Sequence, residues 1–135
     1  MAHPQMFDDD DPVLARVRVL ALGLPEAREK VSHGRPAFYT GKVFAYYGGS
    51  TRVDGRWVSH DRSLMVLPDE GDRRALQEDP RVYVPAYLGP SGWLGIELPG
   101  ARGSKAAWAE VAELLDASYR RTAPARLVRT LASPD

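Results

Sequence analysis

The sequence predicts an α+β domain of two layers, with helices covering one face of an antiparallel five-stranded sheet in the order α-β-β-β-α-β-β-α. Three observations carry this. An amphipathic helical pattern stands at each end of the chain; short Val-, Phe- and Tyr-rich segments broken by Gly, Pro and Asp-Gly fill the middle; and one short helical stretch divides those segments into two groups. With 135 residues, 44% hydrophobic and 27% charged, the chain can bury one core and is too short for two. A single domain is expected over residues 11–131, behind a disordered acidic tail at residues 1–10.

Asp11 followed by Pro12 reads as a helix start, an acidic N-cap with proline at the first helical position. Val13, Leu14, Val17, Leu20, Ala21 and Leu24 then recur at helical spacing, and Gly23 with Leu24-Pro25 ends the helix. Strand segments follow around Glu29 to Ser32, Ala37 to Tyr39, Lys42 to Tyr47 and Leu64 to Leu67. Asp54-Gly55, between Arg52-Val53 and Arg56-Trp57-Val58, is a two-residue hairpin signal, so Gly48 to Arg62 is expected as an inserted, projecting ribbon that can serve as a wing. Asp69 caps a short helix through Leu76, which must end ahead of Pro80.

Two further strands follow. Val82 and Val84 oppose Arg81, Tyr83 and Pro85; Leu94, Ile96 and Leu98 oppose Trp93, Gly95 and Glu97. The last long helix starts at Ser104, with an apolar stripe of Trp108, Val111, Ala112, Leu115 and Tyr119, and Ala125 to Leu131 adds a turn beyond Pro124. A sheet covered on one face leaves the other partly open. The alternation puts Tyr83 and Trp93 there, with Tyr87 in the following loop and Arg81 beside them, as a platform for a base or another flat ligand. The competing reading is that these rings cover the sheet beneath the loop from Ala86 to Gly92.

Net charge is zero, 18 Lys and Arg against 18 Asp and Glu, which is unusual for a dedicated duplex binder. The distribution is uneven. From Arg28 to Arg62 seven cations face three carboxylates, whereas from Met1 to Ala27 two face five. The absence of cysteine excludes disulfides and thiol chemistry and suits a reducing cytosol. The polar N-terminus has no signal-peptide pattern, and no apolar run is long enough to span a bilayer, so a cytoplasmic protein without a membrane partner is expected.

Catalytic and cofactor motifs are weak. Ser59-His60-Asp61 spells a hydrolase triad in letters, but neighbouring strand residues point to opposite faces, whereas a triad converges from separated positions. His33, placed near Tyr39 and Lys42, is a candidate acid or base whose ordinary reading is a solvated loop histidine, and His3 falls in the tail. Three histidines without cysteine give no metal pattern. Gly48-Gly49-Ser50-Thr51 lacks the P-loop lysine, and Gly89-Pro90-Ser91-Gly92 reads as a turn. Asp8 to Asp11 reads as a solvated run capping the first helix, and Arg120, Arg121, Arg126 and Arg129 as helix-end charges or an added phosphate surface. No catalytic residue, cofactor or metal is expected.

Several motifs occur together: Leu24-Pro25, Glu29-Lys30, Gly34, Arg35-Pro36-Ala37-Phe38, Gly41-Lys42-Val43-Phe44, then Pro85, Tyr87 and Trp93. This combination, from about Leu14 to about Leu127, resembles the MmcQ/YjbR-like family, small domains with a proposed double-wing DNA-binding role. Many members carry histidine after the tyrosine and asparagine beyond it; Leu88 and Gly89 stand here instead. The resemblance implies a non-enzymatic, weakly sequence-selective DNA-binding domain in which Lys30, Arg35, Lys42, Arg52, Arg56 and Arg62 meet phosphates, with steep salt dependence. The order of elements also resembles secretion-chaperone-like folds. That implies the alternative, a protein- or small-ligand-binding module using the aromatic face of Tyr83, Tyr87 and Trp93.

Overall fold

The computed structural model describes residues 4–131, so His3 lies outside the described residues. Helix α1 (Pro12–Leu22) begins as its sequence dictates: Asp11 Oδ1 accepts the Val13 N–H at 2.9 Å and proline occupies the first turn. Strands β1 (Arg28–Ser32), β2 (Arg35–Tyr39), β3 (Val43–Val53) and β4 (Arg56–Val66) follow, then α2 (Glu70–Gln77), β5 (Val82–Tyr83), a 3-10 turn (Gly89–Ser91), β6 (Leu94–Glu97), α3 (Lys105–Thr122) and α4 (Ala125–Val128). All strand pairs are antiparallel, in the order β1-β2-β3-β4-β6-β5.

The class is the expected α+β, but among the described residues the sheet has six strands rather than five. Asp54-Gly55 is not the tip of an insertion between shorter strands. It closes the two longest strands of the sheet, which pair from Val53↔Arg56 down to Ala45↔Val66. The strand expected over Arg81 to Pro85 shrinks to Val82–Tyr83, because Pro85 has no N–H for a ladder and the chain turns away, leaving Val84 exposed.

Cross-strand pairing sorts the two faces. Phe38, Ala45 and Val66 align with Leu94, and Tyr47 and Leu64 align with Ile96. This face packs against Leu14, Val17 and Ala21 of α1 and Trp108, Val111, Leu115 and Tyr119 of α3, forming one core. Each buried Val, Leu, Ile or Phe side chain here contributes about 1.5–3 kcal/mol. The opposite face carries Ala37, Tyr46, Met65, Gly95 and Tyr83 in register. The loop after β5 crosses this second face, anchored where the Ala86 N–H donates to the Ser50 carbonyl at 3.1 Å.

The segment ahead of α1 lies against the domain where the sequence suggests a solvated tail. The Met6 N–H donates to the Gly34 carbonyl at 2.8 Å, and Asp9 pairs with Arg18 of α1 at 2.7 Å.

Candidate functional site at the ribbon and its base

Six cations were expected to form one phosphate-binding surface, and the structure spreads them over both faces and both ends of the sheet. Lys42 sits in the β2–β3 turn while Arg52 lies at the far end of β3, roughly 30 Å away along an extended strand. Lys30 covers the Tyr39 ring at 4.6 Å on edge strand β1. Arg62 points to the helix side, 3.4 Å from the Asp11 carboxylate. Arg35 departs most from expectation, being 7% exposed and on the second face. Arg52 and Arg56 both flank the Asp54-Gly55 turn, but Arg52 opposes Trp57 and Arg56 opposes Val53, which sends the two side chains to opposite faces of the ribbon. Of the C-terminal arginines, Arg120 pairs with Asp116, Arg121 donates to the Pro68 carbonyl and Arg126 pairs with Glu26.

The aromatic platform is also rearranged. Trp93 is 8% exposed and packs on Tyr46 with ring centroids 5.5 Å apart, so it belongs to the covered second face rather than an open one. Tyr83 lies half-buried and flat on Gly95, stacked against the His60 imidazole at 3.9 Å. Arg81 is drawn to the sheet edge by Asp79 at 2.7 Å and Glu110 of α3 at 2.8 Å. Tyr87 is open, at 79% exposed, and its partner is one the sequence reading passed over: Trp57, 48% exposed, with centroids 5.5 Å apart. The Arg52 guanidinium also lies over the Trp57 ring, at 4.8 Å, and donates to the Gly55 carbonyl at 2.8 Å. The signal for Trp57 was its place in the ribbon, where a strand runs past the rest of the sheet and no layer can cover it.

At the ribbon base, His60 is held at both ring nitrogens. Nδ1 is 2.5 Å from Glu97 Oε1 and Nε2 is 3.1 Å from Thr51 Oγ1. The carboxylate accepts from Nδ1–H; in the neutral ring Nε2 then accepts from the Thr51 hydroxyl, and in the imidazolium it donates to it. Ser59 and Asp61 take no part: Ser59 pairs across the ladder with Ser50, and Asp61 turns to Arg35. Ser63 Oγ donates to the His60 carbonyl at 2.7 Å and accepts from the Tyr83 hydroxyl at 2.6 Å. Burial pushes the Tyr83 phenol up to about 12, so it remains a donor through the neutral range.

Beside this relay a cleft of about 600 Å³ opens between the ribbon, the β1–β2 turn and the loop after β5, with Arg35, Tyr46, Trp57, Met65, Tyr87 and Leu88 among its walls. Gly48 makes room for the arginine. Its φ of +85° favours glycine, and a Cβ there would lie 2.3 Å from Arg35 Nη1. His33, expected near Tyr39 and Lys42, instead occupies the β1–β2 turn at the opposite end of β2 and lines this cleft. Among the described residues, no three His, Asp or Glu side chains gather closely enough to hold a metal, and no helix is long and apolar enough to cross a membrane.

The family model described as YjbR matches residues 22–121, about three quarters of the chain. The chain belongs to the YjbR family. No curated protein and no solved structure matches it. The YjbR match runs from the last residue of α1 into α3 and takes in the whole sheet, the ribbon and the cleft walls, Met6 excepted.

Proposed function

We propose that this YjbR-family domain is a cytoplasmic DNA-binding domain that acts by binding rather than by catalysis and engages its ligand through the β3–β4 ribbon. The observation that supports this is the ribbon end itself, where the exposed Trp57 and Tyr87 rings lie together with Arg52 over Trp57, and Arg56 projects from the other face of the same turn. Flat rings stack on unpaired bases of any sequence, and the guanidinium groups at the ribbon end meet backbone phosphates, which favours single strands over duplex and gives little sequence preference.

With two cations at the tip instead of six in one patch, the salt dependence is expected to be shallow, a log–log slope between about −1 and −2. Fluorescence anisotropy with a labelled twelve-nucleotide single strand and its duplex, at low and at physiological salt, tests the reading. Single-strand binding that weakens with that slope supports it. No binding of either form at low salt overturns it.

A further inference from the structure

Arg35 is a buried cation with too few partners. Its Nη2 is sealed from solvent without a hydrogen-bond partner, and Nη1 makes one long bond of 3.3 Å to Asp61 Oδ1. The Asp61 side chain is 69% exposed, so most of its negative charge is spent on water. Buried guanidinium groups are ordinarily satisfied by a close, well-aligned anion, and an orphaned buried donor calls for an explanation. Arg35 is one of the walls of the cleft at the ribbon base, with the sealed Nη2 behind that wall, and the other walls are chiefly apolar and aromatic.

From this we infer that the cleft is a binding site for a small organic monoanion, a carboxylate on a flat apolar body. The carboxylate displaces Asp61 from the Arg35 guanidinium, and the apolar body lies among Tyr46, Met65, Trp57 and Leu88. One buried cation in an apolar cleft matches a single negative charge; a polyphosphate would bring more charge than the cleft can neutralise. Asp61, exposed and held by one long bond, is free to turn out to water when the ligand arrives. Burial keeps the Tyr46 phenol protonated as a wall of the site. The site shares Trp57 and Tyr87 with the nucleic-acid reading, but the inference rests on Arg35 and is tested without nucleic acid.

The probe is 2-naphthoate, with the isosteric neutral 2-naphthamide as control, titrated calorimetrically into the whole chain. The acid should bind at least about ten-fold tighter than the amide. Arg35→Met should erase that preference while leaving amide binding in place, with circular dichroism confirming the fold. Asp61→Asn removes the competing carboxylate at an exposed position and should tighten naphthoate binding several-fold with no effect on the amide. Equal affinity for acid and amide in the unmodified chain, or an unchanged preference in both variants, overturns the inference.

Discussion

Tyr47 and Asp11 join the sheet to the first helix: the phenol donates to Asp11 Oδ2 at 2.6 Å, and both residues are buried. The same carboxylate caps α1 through the Val13 N–H. Burial alone pushes the Asp11 carboxyl up, but the Tyr47 phenol, the Val13 N–H and Arg62 together hold it below its ordinary value. A carboxyl depressed in the folded state contributes stability that is present above its unfolded pKa, near 4, and is lost as pH falls through the lower folded value. Urea unfolding should therefore show wild-type stability falling as pH drops below about 4, with a shallower fall for Asp11→Asn. Tyr47→Phe should cost about 1–3 kcal/mol at pH 7 by stripping a donor from a buried carboxylate. Parallel pH curves for wild type and Asp11→Asn would exclude this account.

Trp57 and Trp93 should separate binding from stability. Trp93 is buried on Tyr46, so Trp93→Ala is expected to cost about 3–5 kcal/mol, read by chemical denaturation. Trp57 is half-exposed at the ribbon, so Trp57→Ala should leave stability within about 0.5 kcal/mol and weaken single-strand affinity by about 1–3 kcal/mol. A binding loss in Trp57→Ala that merely tracks a lower melting temperature would remove the ribbon from the site.

The contrast between these two tryptophans shows what the sequence carried. Asp11 and Ser104 were legible as caps because an N-cap bonds within its own first turn, as Ser104 Oγ does with the Ala107 N–H. The Asp54-Gly55 hairpin was legible for the same reason. The fate of Trp93, Arg35 and His60 was not, because it depends on which strands come to neighbour which. β6 pairs with β4 across an intervening helix, and bulges at Phe38/Tyr39 and Tyr47/Gly49 break the simple two-residue alternation of the earlier strands. A reading that extends alternation from local letters therefore finds the core face of α1 and α3 and loses the identity of the site.

Ser118 supplies a test of how α3 is fastened. Its Oγ donates to the Phe44 carbonyl at 2.6 Å and accepts the Leu67 N–H at 2.9 Å, linking one helix to β3 and to the chain just past β4. Ser118→Ala removes the hydroxyl and leaves the Phe44 carbonyl and the Leu67 N–H without that partner, and should cost about 2–3 kcal/mol in denaturant unfolding with an unchanged m-value. A cost below about 0.5 kcal/mol would mean that water or relaxation replaces the hydroxyl.

Gly95 and Tyr83 form a directly opposed pair in which the ring lies over the missing side chain, so a Cβ on Gly95 would stand 2.1 Å from Tyr83 Cζ. The clash meets the middle of a rigid ring, which must lift, leaving its stack on His60 and its bond to Ser63. Gly95→Ala should thus cost about 1–3 kcal/mol and loosen the ribbon base, seen as faster amide exchange at the residues flanking His60. In a Tyr83→Ala background the ring is gone and the same substitution should cost little, so a double-mutant cycle should return an interaction energy near the full single-mutant cost. An equal cost in both backgrounds would place the effect in the backbone of β6 and not in the ring, and would detach the His60 relay from the packing of β5 on β6.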